Sequence, residues 1–408
     1  MSTATAPVRV PRTPVARGLA QFGPNWFTAV MGTGIVATAA ATLPVPVPGL
    51  RPVATGVWLL AGALLLTLLA VSVAHGLRHP SVARAHLRHP VRGHFYGAPP
   101  MALMTVGAGT LLLGPDVVGP RAALGLGALL WALGTVGGLA STVLVPWVGL
   151  RQNGYDQATA FGGWLVPVVP PMVSASVGAL LVPHAPAGAG REAVLLLCYA
   201  CAAVSLLATA VLVPVLLTRW RRHGAGPAAA VPTWWIVLGP LGQGVTALVS
   251  LAAHAPGTLP AAWVPVAGLT AVGAGVVLGG AALAWLAVVV VLTVRTAWAR
   301  GGLPFSMTWW SFTFPVGTLV TGAGALAHRT GSPVLAGLAV VLFGLLVTAW
   351  LVVLPRTVRG VLDGTLLPGS SVASELSRAA GAGCAGRPGG PAAWPRPRRP
   401  SRRRAARP

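Results

Sequence analysis

The sequence predicts an all-α integral membrane protein of ten transmembrane helices, with odd-numbered helices inside and even-numbered helices outside. Three observations predict it: the composition, the placement of arginine and the placement of proline. Of 408 residues, 55% are hydrophobic and 8% charged, whereas a soluble domain carries about a quarter charged residues. The charges are 28 arginines against Asp116, Asp156, Glu192, Asp363 and Glu375, a net charge of +23. In a soluble chain that balance would point to nucleic acid. Here most arginines separate long apolar runs, so a lipid bilayer is the expected partner and no nucleic acid is.

Crossing about 30 Å of hydrocarbon at 1.5 Å per residue takes roughly 20 apolar residues. Spans are read at 24–43, 53–76, 98–114, 121–146, 161–182, 191–218, 232–253, 264–294, 307–327 and 333–355. Residues 101–114 form a short run, so the third span needs Ala98, Pro99 and Pro100 to reach length. Cytoplasmic loops are enriched in arginine and lysine, which checks the count. With ten spans, 15 arginines lie on the side of the termini before the tail is counted, and Arg51, Arg121, Arg191 and Arg329 lie on the other. Both termini are therefore expected in the cytoplasm of a plasma-membrane protein. Residues 1–23 lack the apolar core of a secretory signal and read as a cytoplasmic segment. Residues 24–355 form the membrane domain, and 356–408 an Arg/Pro/Gly-rich tail whose composition cannot bury enough apolar surface to order it.

All five acids fall in loops or the tail, and no arginine falls near the middle of a span. Proton-coupled carriers usually mark their path with an intramembrane ionisable group, so a neutral pathway is expected. Prolines mark the odd spans: Pro24 in the first, Pro99 and Pro100 in the third, Pro167, Pro170 and Pro171 in the fifth, Pro240 in the seventh and Pro315 in the ninth. Each should free a carbonyl four residues back and kink its helix. Broken backbone at membrane depth needs protein or a water-filled cavity around it, which places the odd spans in an inner ring. Polar and small residues recur on single faces by steps of three and four: Thr28, Gly32, Ile35 and Thr38; Gly163, Pro167, Pro170, Ser174 and Gly178; Gly239, Gln243, Thr246 and Ser250; Ser311, Phe314, Thr318 and Gly322. Such residues also let membrane helices pack closely, so one stripe alone does not make a pore. Their recurrence along the odd spans favours one.

Five segments in order, FGPNWFTAVMGTG at 22–34, HPVR at 89–92, WLVPVVP at 164–170, GPLGQG at 239–244 and WWSFTFP at 309–315, resemble the tellurite-resistance/dicarboxylate transporter family. That family includes slow-type anion channels, malate permeases and sulfite exporters, and residues 239–244 look most like the sulfite-exporter branch. The resemblance implies five helical hairpins around a central pore lined by the odd helices, a homotrimer with one pore per subunit, and a phenylalanine across the pore. Phe314 matches that phenylalanine, because it precedes Pro315 and shares a face with Ser311 and Thr318, whereas Phe312 points away. A small anion is the implied substrate. Carbonyls freed by proline would repel an anion, so stabilisation is expected from hydroxyls such as Thr28 and Thr318, the Gln243 amide and helix N-termini.

Other signals carry less. Cys198 and Cys201 lie inside the sixth span with no second pair, which reads as packing rather than redox or metal chemistry. His75, His79, His86, His89 and His94 cluster without an accompanying acid or cysteine, so a metal is not expected. No serine, histidine and acid set lies within the membrane for hydrolysis; neither an enzyme nor a cofactor is expected. The expected function is passive movement of small anions, whether sulfite-like inorganic ions, chloride, nitrate or C4-dicarboxylates, through a pore constricted by a phenylalanine, with a proton-coupled C4-dicarboxylate carrier and a non-transporting sensor or scaffold as rivals.

Overall fold

A computed structural model describes residues 22–153, 157–299 and 302–366. Among them the secondary structure is helical, without strands. Five helices are short and buried: α1 (Phe27–Ala41), α4 (Ala98–Leu113), α7 (Pro170–Ala179), α9 (Leu238–Ala253) and α11 (Phe314–Thr330). Five are long: α2 (Leu50–Arg78), α6 (Pro120–Asn153), α8 (Ala189–His223), α10 (Trp263–Ala299) and α12 (Pro333–Leu362). Two pieces, α3 (Pro80–Arg88) and α5 (Pro115–Val118), lie in connections.

Burial separates the two sets. Twelve of the 15 residues of α1 and all ten of α7 are buried, against five of 29 in α2 and six of 37 in α10. The exposed faces of the long helices are apolar, with Leu66, Leu207, Leu269, Val277 and Val341 all at least 69% exposed. A soluble monomer rarely exposes so broad an apolar surface; lipid tolerates it. Among the described residues, α2, α6, α8, α10, α12 and the stretch Ala228–Ala253 are long and apolar enough to cross a membrane.

Each short helix packs against the long helix that follows it, and the short helices also touch in the order α1, α4, α7, α9, α11 and back to α1. The short helices are thus the buried set and the long helices the exposed, apolar set. The prolines act differently from the expectation. Pro99, Pro170, Pro171 and Pro315 occupy the first turns of α4, α7 and α11 rather than kinking continuous spans. Proline is tolerated there because the first-turn N–H groups have no intrahelical acceptor. Pro240 likewise stands in the first turn of α9. Ahead of each short helix runs 3₁₀ structure: Pro24–Trp26, Arg92–Gly97, Gly162–Leu165, Ala228–Val237 and Met307–Phe312. Three of these meet tightly at one end of the ring. A Cβ on Gly162 would stand 1.9 Å from the Thr233 carbonyl oxygen, and Trp235 packs edge-on against Phe312 at 5.0 Å between centroids.

Helix ends follow local chemistry. Gly331 adopts φ 68° and ends α11, its N–H donating to the Ala327 carbonyl, a left-handed stop that suits glycine. Ser332 then caps α12 by accepting from Leu335 N. Helix α12 continues to Leu362, so Arg356 and Arg359 are helical rather than the start of an irregular tail. The expected tail beyond residue 366, the segment before residue 22, and Asp156, Arg300 and Glu375 lie outside the described residues.

Candidate functional site: a cavity enclosed by the short helices

All five short helices line a cavity of about 490 Å³, most of its wall coming from their C-terminal halves. Its wall follows helical spacing: Ile35, Thr38 and Thr42 from α1; Thr105, Ala108 and Leu112 from α4; Val173, Ser176, Val177 and Leu180 from α7. Gln243, Thr246, Val249, Ser250 and Ala253 come from α9, and Phe314, Thr321, Ala325, His328 and Arg329 from α11. Because these stripes run toward the C-termini, Ile35, Thr105, Val173, Gln243 and Phe314 mark the deep end. Thr42, Leu112, Leu180, Ala253, His328 and Arg329 mark the mouth.

No acid stands among the wall residues, and their one arginine, Arg329, sits at the mouth beside His328. Five helix C-termini converge there, each carrying a partial negative charge. Arg329, in the last turn of α11, places a guanidinium at that opening, where its charge opposes the field of the backbone dipoles. Arg51 of the adjacent α2 is tied up in an ion pair with Asp116 at 2.6 Å.

The expected pore-lining residues fall into two groups. Thr38, Gln243, Thr246 and Phe314 face the cavity. Gly239 is buried, yet a Cβ there would meet nothing within 4 Å. It therefore borders open space beside the deep end.

Others are packing residues. The Ser174 hydroxyl pairs with Thr135 on α6 at 2.6 Å, and the Pro167 carbonyl accepts from Thr142 at 2.8 Å. Pro170 packs against Gly138 of α6. Gly32 faces Trp310 and Thr313, and Thr318 lies against Gly242 of α9. Thr28 and Ser311 are not in the wall; the Thr28 hydroxyl donates to the Asn25 carbonyl at 2.6 Å. Pro315 is buried in the first turn of α11.

Two physical reasons account for the misplaced faces. Gly163 and Ser311 lie in 3₁₀ structure, which turns about 120° per residue, so stepping through it by α-helical spacing loses the register of α7 and α11. In α11 the steps from Phe314 to Thr318 to Gly322 each drift about 40° around a helix of 3.6 residues per turn. The cavity stripe instead runs from Phe314 to Thr321, Ala325 and His328. Thr105, Ser176 and Thr321 were missed, and for Ser176 only the true start of α7 would have revealed the face.

The expected hydroxyl donors are also not available. The Thr318 hydroxyl donates to the Pro315 carbonyl at 2.6 Å, as that of Thr28 does to the Asn25 carbonyl. In the histidine cluster, His86 stacks on His75 at 5.5 Å between centroids and lies 3.0 Å from an Arg92 nitrogen. Among the described residues no three histidine, cysteine or acidic groups are placed to share a metal ion.

A helical protein with apolar outer helices and a cavity among its inner helices has an architecture suited to a transporter or channel. Residues 21–358 match the model of the voltage-dependent anion channel family (SLAC1), and the chain belongs to that family. It is 27% identical over 349 residues to an uncharacterized transporter of Methanocaldococcus jannaschii, covering 85% of this chain and 96% of that one. It is 28% identical over 321 residues to the sulfite efflux pump SSU1 of Trichophyton rubrum, covering 77% and 84% respectively.

Proposed function

We propose that this protein lets small inorganic anions, sulfite-like oxyanions foremost, cross the plasma membrane passively through the cavity, with Phe314 as the constriction at its deep end. The observation that carries this reading is a cavity lined by all five short helices, free of acids and with its one arginine, Arg329, at the mouth. The similarity to sulfite efflux pumps supports the substrate class. In this reading the five short and five long helices cross the membrane as five hairpins. The 3₁₀ segments lengthen the short helices, whose 10 to 17 residues alone fall below the roughly 20 needed. Arginine placement supports both termini lying in the cytoplasm, and family resemblance supports a homotrimer with one pore per subunit.

The test is a liposome flux panel with sulfite, chloride, nitrate and malate. Anion movement down its own gradient, without a proton gradient and retained after truncation following residue 366, supports the reading. Malate uptake abolished by an uncoupler would replace it with the proton-coupled dicarboxylate carrier. A purified protein that moves none of the four would favour the sensor or scaffold.

A further inference from the structure

The cavity wall is rich in hydrogen-bond acceptors whose hydrogens are already committed. The hydroxyls of Thr38, Thr42, Thr105 and Thr321 donate to carbonyls of their own helices, at 2.8 to 3.2 Å. Thr246 shares its hydrogen bond with Thr321 at 2.8 Å. Ser176 donates to the Val173 carbonyl at 3.0 Å. Its oxygen therefore accepts from Gln243 Nε2, which orients the amide. Gln243 is 6% exposed and stands at the deep end of the wall, and its Oε1 has no hydrogen-bond partner. A buried acceptor without a donor is unfavourable, and the threonines beside it have no hydrogen left to offer.

We propose that Gln243 is a specificity-determining residue that favours anions carrying a hydroxyl of their own, such as hydrogensulfite and hydrogencarbonate, over aprotic anions of equal charge, such as nitrate and chloride. The second Nε2 hydrogen donates to the charged oxygen of the anion, and Oε1 accepts the anion's O–H. An aprotic anion leaves Oε1 unpaired, and a site built to pair a hydroxyl discriminates strongly against partners lacking one. This inference rests on the conduction reading above and names the substrate property that the same pathway selects.

The test uses full-length protein in liposomes, with leakage through protein-free vesicles subtracted, and compares hydrogensulfite with nitrate flux in wild type and Gln243→Met. The ratio of the two fluxes should fall about tenfold in the variant, as expected when one buried pairing is lost. Should Gln243→Met fail to reconstitute, wild type decides alone. Raising the pH converts hydrogensulfite to the dianion, and sulfur-oxyanion flux at fixed total concentration should fall against nitrate measured in the same vesicles. An unchanged ratio in Gln243→Met, or a ratio that does not fall with pH, overturns the role of Gln243 while leaving conduction standing. Absence of flux for both anions in wild type and in Phe314→Ala overturns conduction and this inference together.

Discussion

Replacing Phe314 by alanine tests the proposed constriction most directly. The side chain is 5% exposed and lines the deep end of the cavity beside smaller groups such as Ile35, Thr105 and Val173. For an anion to pass, the phenyl ring must leave its packed position, at a cost of about 1.5–3 kcal/mol for a buried side chain of this size. At 1.4 kcal/mol per factor of ten, removing that cost raises flux by about 10- to 150-fold. The destabilisation should stay below the roughly 3–5 kcal/mol of a fully packed core phenylalanine, because the cavity already borders the ring. The assay is anion flux into liposomes, driven by a potassium diffusion potential and followed with an anion-sensitive dye. Phe312→Ala is the matched control. That ring packs against Trp235 and Trp309 at 5.0 and 5.6 Å between centroids, so its loss should lower the melting temperature without raising flux. Flux within twofold of wild type in Phe314→Ala, or an equal rise in Phe312→Ala, refutes the constriction.

Three further outcomes follow from the geometry. Gly242→Ala should destabilise the fold by about 1–3 kcal/mol, since its Cβ would lie 2.7 Å from the Thr318 backbone carbon. Gly239→Ala, which meets nothing within 4 Å, should leave the melting temperature unchanged or raised while reducing flux by narrowing the pathway; equal melting temperatures for the two variants would contradict the packing assignment. Arg329→Gln should slow anion flux about two- to threefold at low ionic strength. The difference should fade near 0.15 M salt, where charges are screened beyond about 8 Å, and a salt-independent loss would argue against steering. Finally, burial and then the positive field of Arg92 and the neighbouring His75 and His89 hold His86 at about 4 instead of 6.5. The unfolded chain binds this proton at higher pH than the folded one, so stability is full above about pH 6.5 and is lost as pH falls toward 4. Melting temperatures should drop between about pH 7 and pH 5, with a shallower drop in His86→Asn; an identical slope would remove His86 from the linkage.

Much of the architecture was legible because bilayer chemistry is written in composition. Long apolar runs flag α2, α6, α8, α10 and α12 without reference to neighbours. Prolines 99, 170, 171, 240 and 315 mark where short, buried helices begin. Their effect was less legible: proline reads equally as a kink or a helix start until the backbone before it is known. The small-residue stripes were the least legible. Gly32, Ser174 and Thr318 share the side-chain chemistry of Thr38, Thr246 and Gln243, being small or hydrogen-bonding, yet the first three pack against neighbouring helices and the last three face the cavity.

The sequence by itself determined the helical membrane class, the alternation of buried and lipid-facing helices, and Phe314 and Gln243 as residues of interest. These depend on local hydrophobicity, proline placement and motif order. Only the tertiary structure decided which side of each short helix faces the cavity, because a 3₁₀ turn ahead of the helix resets its rotation. It also decided that the threonine hydroxyls are consumed by their own backbone and that Arg329 belongs to the cavity mouth. Those outcomes depend on where five helix ends converge, which no single helix encodes.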